Sequence, residues 1–154
     1  MSIELPAIEV FGESVSGIFI SYRRQETGGW SRSLANDLDE KLRKDEIFFD
    51  VDSMTAGFDF RDTINEYIDR SDVVIVVIGR DWANVTNPDG TRRIDDPDDH
   101  VRTEVETAIE KRKLVIPVLV SNAAMPREDE LPESLKKLAS LHAEPIRDVG
   151  YDSD

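Results

Sequence analysis

The chain has 154 residues, of which 39% are hydrophobic and 34% charged; it has no cysteine and a formal net charge of −14. This is the size and balance of one soluble globular domain, and the missing thiols remove disulfides, zinc–thiolate sites and cysteine nucleophiles. Nucleic acids and anionic membranes are bound through basic surfaces, so a chain this acidic is expected to bind neither, and an anionic ligand would need a local cluster such as Arg23-Arg24.

Residues 1–16 have no clear periodicity and read as an N-terminal arm. With Glu4 and Glu9 in place of a basic segment leading an apolar one, the sequence predicts no signal peptide and a cytoplasmic setting. Residues 17–22 form a first β-branched and aromatic strand. Trp30, Leu34, Leu38 and Leu42 recur every four residues, as in an amphipathic helix ending near Lys44. Ile47, Phe48 and Phe49 make a second strand that stops at Asp50. Phe60, Ile64, Tyr67 and Ile68 mark a second helix, and the apolar run at 72–79 is a third strand. A long loop leads to a third helix near 98–112, with Val101, Val105, Ala108 and Ile109 inward. Residues 114–120 are a fourth strand, 131–141 a fourth helix with Pro132 in its first turn, and 143–147 a fifth strand.

Strands and helices alternate, and the strongest strands are continuously apolar, which calls for a parallel sheet covered on both faces. The expected fold is α/β, flavodoxin-like and doubly wound, with five parallel strands in the order 2-1-3-4-5. The domain is expected over 17–147. The tail at 148–154 offers no helix to cover strand five, so the reading is of a longer protein continuing C-terminally.

Several chemistries fail on the residues. No G-x-G-x-x-G turn opens a helix after a strand, and there is no Walker A lysine motif. A phosphoacceptor receiver needs an aspartate at the end of strand three and an acidic pair after strand one. Those positions hold Gly79-Arg80 and Tyr22-Arg23-Arg24. The run Asp95-Asp96-Pro97-Asp98-Asp99 lacks the spacing and glycine of a calcium loop, and reads as a solvated acidic loop feeding a helix N-terminus. Two isolated histidines make no metal site.

What remains is set by topology. Arg23 and Arg24 leave strand one, Asp50 ends strand two, and the loop leaving strand three leads to Glu104. These exits share the carboxyl edge of a parallel sheet, where such folds bind ligands. Glu104 borders the apolar stripe of its helix with His100 one turn before it, which predicts a partly desolvated carboxylate at a cleft rim. The plainer reading is a surface glutamate on a helix.

Phe19-Ile20-Ser21-Tyr22-Arg23-Arg24 resembles the box 1 signature of TIR (Toll/interleukin-1 receptor) domains. The segment from Phe49 to Gly57 resembles their second strand and BB loop. Glu104-Val105-Glu106-Thr107-Ala108, followed by Val115-Ile116-Pro117-Val118, is similar to the third helix and fourth strand of bacterial and axonal members. The resemblance implies an NAD⁺ glycohydrolase that releases nicotinamide and linear or cyclic ADP-ribose, with NAD⁺ as substrate and no further cofactor. It carries the family's required glutamate onto Glu104. Arg23 or Arg24 would face the phosphate or ribose side, Asp50 and Phe60 would line the pocket from the BB-loop side, and Trp82 would sit in the loop after strand three. His100 stands where axonal members have a tryptophan. The resemblance further implies activation by packing of TIR domains into homo-oligomers or filaments, and a place as effector of a bacterial immune or antiphage protein. The alternative is a non-enzymatic TIR scaffold, or a virulence-type TIR acting by TIR–TIR contact alone.

Overall fold

The computed structural model describes residues 17–42, 47–48, 57 and 59–146. In chain order these form β1 (Ile18–Ser21), α1 (Arg24–Leu42), β2 (Ile47–Phe48), α2 (Phe60–Asp69), β3 (Val73–Ile78), α3 (His100–Glu110), β4 (Leu114–Leu119) and β5 (Glu144–Pro145). The strands lie in the order β2-β1-β3-β4-β5, and every neighbouring pair is parallel. Among the described residues the outer strands β2 and β5 are ladders of two residues each. Pro117, in the middle of β4, has no N–H to donate, and pairing with β5 begins one residue later at Val118. This is the α/β fold with a parallel sheet and flanking helices that the alternating pattern predicts.

The apolar run of β3 is explained by its two faces. Val73, Ile75 and Val77 join Ile18, Ile20, Leu34, Ile116 and Val118 in one core cluster, with Trp30 packed against it. Val74, Val76 and Ile78 point the other way, onto Ile64, Ile68, Val101, Val105, Ala108, Leu135 and Leu138. Successive side chains on a strand alternate in direction, so a strand buried on both faces has no polar position left. One face is therefore covered by α1, the other by α2, α3 and the segment after β4. No described helix is long and apolar enough to cross a membrane.

Two expectations need correction. The first helix begins earlier than the leucine spacing suggests, at Arg24, and is kinked at Thr27 (φ −130°, ψ 23°), whose N–H donates to the Arg23 carbonyl at 2.8 Å. The expected fourth helix is not an α-helix. Residues Glu133–Ser140 form a 3₁₀ run, with the Leu135 N–H donating to the Pro132 carbonyl at 2.9 Å. The cause is in the spacing: Pro132, Leu135, Leu138 and Leu141 recur every three residues, the period of a 3₁₀ helix, so that winding keeps Leu135 and Leu138 on the core.

The helices α2 and α3 are tied at the edge opposite the strand exits as well. Lys111 pairs with Asp69 at 2.8 Å and Lys113 donates to the Asp69 carbonyl. The hydrogen bond from Lys111 holds the Asp69 carboxyl below the ordinary carboxylate range.

At the start of β1 the chain passes so close to the end of α2 that a Cβ on Gly17 would lie 2.6 Å from the Arg70 carbonyl oxygen. The Gly17 carbonyl in turn accepts from the Asp72 N–H at 2.9 Å. Gly17→Ala is expected to destabilise the domain by about 1–3 kcal/mol, because backbone and not a flexible side chain must give way. Urea unfolding of parent and variant reads this directly; an unchanged midpoint would contradict the close packing.

Candidate active site

The site is organised around an arginine. Arg23 leaves β1 with only 4% of its surface exposed, so its charge must be met within the protein. Asp99 meets it with both oxygens: Nη1 donates to Oδ1 at 3.1 Å and Nη2 to Oδ2 at 2.9 Å. Nε donates to the Trp82 carbonyl at 3.0 Å, and the guanidinium carbon lies 5.7 Å from the Trp82 ring centroid. Asp99 is also the N-cap of α3, where its Oδ2 accepts from the Arg102 N–H at 3.3 Å. One ion pair thus joins the exit of β1, the loop after β3 and the start of α3.

The loop 79–99 is built rather than open. Thr86 and Arg92 form an antiparallel bridge, and the Thr91 hydroxyl and N–H both donate to Asp89, holding its carboxyl below the ordinary range. A 3₁₀ turn, Arg93–Asp95, then buries Ile94 completely in the core. Arg61, at the start of α2, donates to the Pro97 carbonyl at 2.9 Å and to Asp98 at 2.8 Å. That brings Phe60 beside His100, with ring centroids 4.1 Å apart and planes inclined by 25°. The Arg61 guanidinium covers the Phe60 ring at 5.0 Å.

Between the β1 exit and this loop lies a hollow of about 430 Å³, in the range of small-molecule pockets. Arg23, Arg24, Arg93, Asp96, Asp99 and His100 are among the residues that line it. Of the residues the sequence singled out, Arg23, Arg24 and His100 therefore meet here, and Phe60 stands behind His100. Trp82 is elsewhere: its side chain, 1% exposed, packs in the core and borders a second hollow beyond the ends of β3 and β4. Asp50 lies outside the described residues, as does most of the segment likened to the BB loop.

Glu104 sits one turn along α3 from His100. It is 5% exposed, as buried as Val101, so the expected partly desolvated rim position is deeper than the apolar stripe implied. The reason is that α3 is covered on several sides, by β1, β4, α2 and the 3₁₀ run, and buries Thr103 and Thr107 as well. Glu104 is not among the residues lining the hollow, whereas His100 and Val101 are. Arg102 and Glu106 flank it on the outer face, paired at 2.7 Å, and Ser134 donates to the same Glu106 oxygen. Among the described residues no group of His, Asp and Glu could hold a metal ion.

Asp99 and Arg93 are the residues that sequence reasoning missed. Asp99 carried a usable signal, an aspartate directly before a helix start. Its pairing with a residue 76 positions away carried none.

The TIR domain family model matches residues 18–149. The chain belongs to the TIR family. The TIR domain is 30% identical, over 129 residues, to the NAD(+) hydrolase tir-1 of Caenorhabditis elegans. That alignment covers 81% of this chain and 12% of the relative, so the TIR chain spans a small part of that protein's length. Its fold is similar to the TIR domains in the structure of the activated Roq1 resistosome directly recognizing the pathogen effector XopQ. There the TM-score is 0.61 at 17% identity, covering 90% of this chain and 92% of the other.

In this TIR domain the Arg23–Asp99 pair is expected to be structural first. Asp99→Ala leaves a guanidinium buried without its carboxylate and uncaps α3, a loss of about 3–5 kcal/mol. Chemical denaturation of the purified variant measures it; a loss under about 1 kcal/mol, the range of an exposed pair, would contradict the burial seen here.

Proposed function

We propose that this TIR domain cleaves the bond between nicotinamide and ribose in NAD⁺, giving nicotinamide and linear or cyclic ADP-ribose, with Glu104 as the catalytic carboxylate. The observation that carries the reading is a glutamate only 5% exposed, on a helix whose first turn enters the hollow. Its burial is costly for a merely structural carboxylate, and acidic groups held out of water at a carboxyl sheet edge are characteristic of working sites. The likeness to an NAD(+) hydrolase adds support.

One carboxylate suffices for this chemistry. Ordinary glycosidases need a second, because an alkoxide leaving group must be protonated. Here the C–N bond pair departs with nicotinamide and neutralises its pyridinium charge, so no general acid is required. Positive charge builds on the ribosyl carbon, and Glu104 stabilises it electrostatically while accepting hydrogen bonds from ribose hydroxyls. Water or the substrate's own adenine then attacks that carbon, giving the linear or the cyclic product. Arg24, on the hollow, faces the phosphate side of the ligand, whereas Arg23 acts through Asp99 by fixing the start of α3. Trp82 anchors the loop beneath Arg23, His100 and Phe60 present a stacked edge to the ligand, and Asp50 is taken as a further substrate-binding residue on the motif resemblance alone. No cofactor takes part.

Glu104 stands behind His100 and Val101 rather than on the hollow's wall. This favours a pocket completed only when TIR domains pack together as homo-oligomers or filaments. In a longer protein a sensor domain would supply that clustering through effective concentration. In this reading the domain is the cytoplasmic effector of a bacterial immune or antiphage protein, an assignment supported by its motif resemblance. The same placement of Glu104 is what favours the second reading, a TIR scaffold that only assembles.

The two readings separate in one experiment. With the domain clustered on beads or a fused oligomer, NAD⁺ is consumed by the parent, and Glu104→Gln lowers the rate by at least about a hundredfold with an unchanged circular dichroism spectrum. Turnover retained in the variant removes Glu104 from the chemistry; no turnover in the clustered parent leaves the scaffold.

A further inference from the structure

We propose that the second hollow, between the exits of β3 and β4, binds a flat, neutral ligand bearing an amide edge, a carbonyl acceptor beside an N–H donor. This site is apart from the hollow lined by His100 and does not depend on NAD⁺ cleavage.

The Val120 N–H donates to the Ile78 carbonyl at 3.0 Å, so the chain leaves the two strands side by side. The segments that follow, 79–84 and 122–127, wall a space of about 450 Å³, large enough for a small molecule. Parallel sheets hold ligands at this carboxyl edge. The second wall begins with two consecutive non-glycine residues in left-handed backbone, Ser121 (φ 55°) and Asn122 (φ 60°). That conformation is costly for a serine, and it is held from both sides. The Ala123 N–H donates to the Val120 carbonyl at 3.0 Å, closing the turn, and the Trp30 indole N–H donates to the Ser121 hydroxyl at 3.2 Å. The backbone of Asn122 is thereby fixed on the wall.

Three polar groups of this wall are uncommitted. Trp82 has an indole N–H buried with no acceptor, although buried indoles ordinarily find one. The side-chain amides of Asn84 and Asn122 make no hydrogen bond among the described residues, whereas those of Asn65 and Asn87 do. An indole N–H calls for an acceptor. An asparagine amide offers an acceptor and a donor together, the complement of another amide. Met125 and Pro126 give the same wall an apolar face, and a thioether packs well on an aromatic ring. The charges argue for a neutral ligand. Arg127 is paired with Asp129 at 3.1 Å and Glu130 lines the same wall, while Arg80 is exposed and stays solvated. An anion brought to the buried indole would lose its hydration with no charge to meet it, whereas a neutral carbonyl completes the unmade bond.

The test is a ¹⁵N–¹H titration of the labelled domain, unclustered and without NAD⁺, with nicotinamide and with uracil, a carboxamide and a ring lactam. The chain has two tryptophans, so two indole resonances are read, and Trp82→Phe assigns them. The Trp82 signal should move saturably with at least one probe, at a Kd of about 1 mM. Movement with one probe alone tells a carboxamide ligand from a lactam. Asn84→Leu should raise that Kd about tenfold, the effect of one lost hydrogen bond. Ala124→Phe, a bulky ring at an exposed wall position, should abolish binding. His100→Ala, on the other hollow, should leave it unchanged. Nicotinate binding as tightly as nicotinamide would overturn the neutral class. A titration untouched by Asn84→Leu and Ala124→Phe, or a Trp82 signal that stays still with both probes, would overturn the site. No turnover enters the measurement. A domain that binds these probes yet leaves NAD⁺ intact when clustered sinks the glycohydrolase reading alone, and one that cleaves NAD⁺ without binding them here sinks only this site.

Discussion

A single buried ion pair sets the geometry of this domain's carboxyl edge. Arg23 cannot leave β1 almost fully buried unless its charge is met inside the protein, and Asp99 and the Trp82 carbonyl meet it through one donor on each of its three nitrogens. Because Asp99 is also the cap of α3, the pair fixes that helix's start against a strand and a loop distant in sequence. Such a pair adds little net stability over a well-packed apolar contact, since desolvation offsets much of its attraction. What it adds is position: a planar fork matched to a carboxylate tolerates one orientation. The register of α3, and with it the placing of His100 and Glu104, follows.

The fold was legible because its signals are local and repeated. The continuous apolar run of β3 announces burial on both faces, and the spacing of Ile64 and Ile68 announces α2. The 3₁₀ run at Glu133–Ser140 is not distinguishable from an α-helix in the sequence, because leucines three apart satisfy either winding when only a few turns are available. The site was legible in outline for a different reason. In a parallel sheet the residues that end strands gather at one edge whatever their neighbours do, so Arg23, Arg24 and His100 converge as topology demands. Which of them would be buried was not legible. Arg23 and Arg24 are adjacent and chemically identical, yet one is sealed by a carboxylate from the far side of a long loop and the other faces the hollow. That distinction lives in tertiary contacts alone.

The acidic run before α3, which reads as a solvated loop, divides its labour once folded. Asp95 clasps Arg92, Asp98 meets Arg61, and Asp99 neutralises Arg23. Three aspartates that look redundant along the chain each take a different arginine, while Asp96 accepts from the Asp98 N–H, and Arg93 is left unclaimed among the described residues. The charge of the whole molecule therefore says little about its edge, where sign is decided by which pairs close.

The three-residue leucine spacing after β4 carries an evolutionary consequence. Adding or deleting one residue there would turn everything beyond it by a third of a circle, pulling Leu138 away from α3. An α-helix with a broad greasy side absorbs some drift in phase; this tightly wound brace has almost no slack. Insertions among relatives should accordingly collect in the turns on either side of it, and its own length should stay constant.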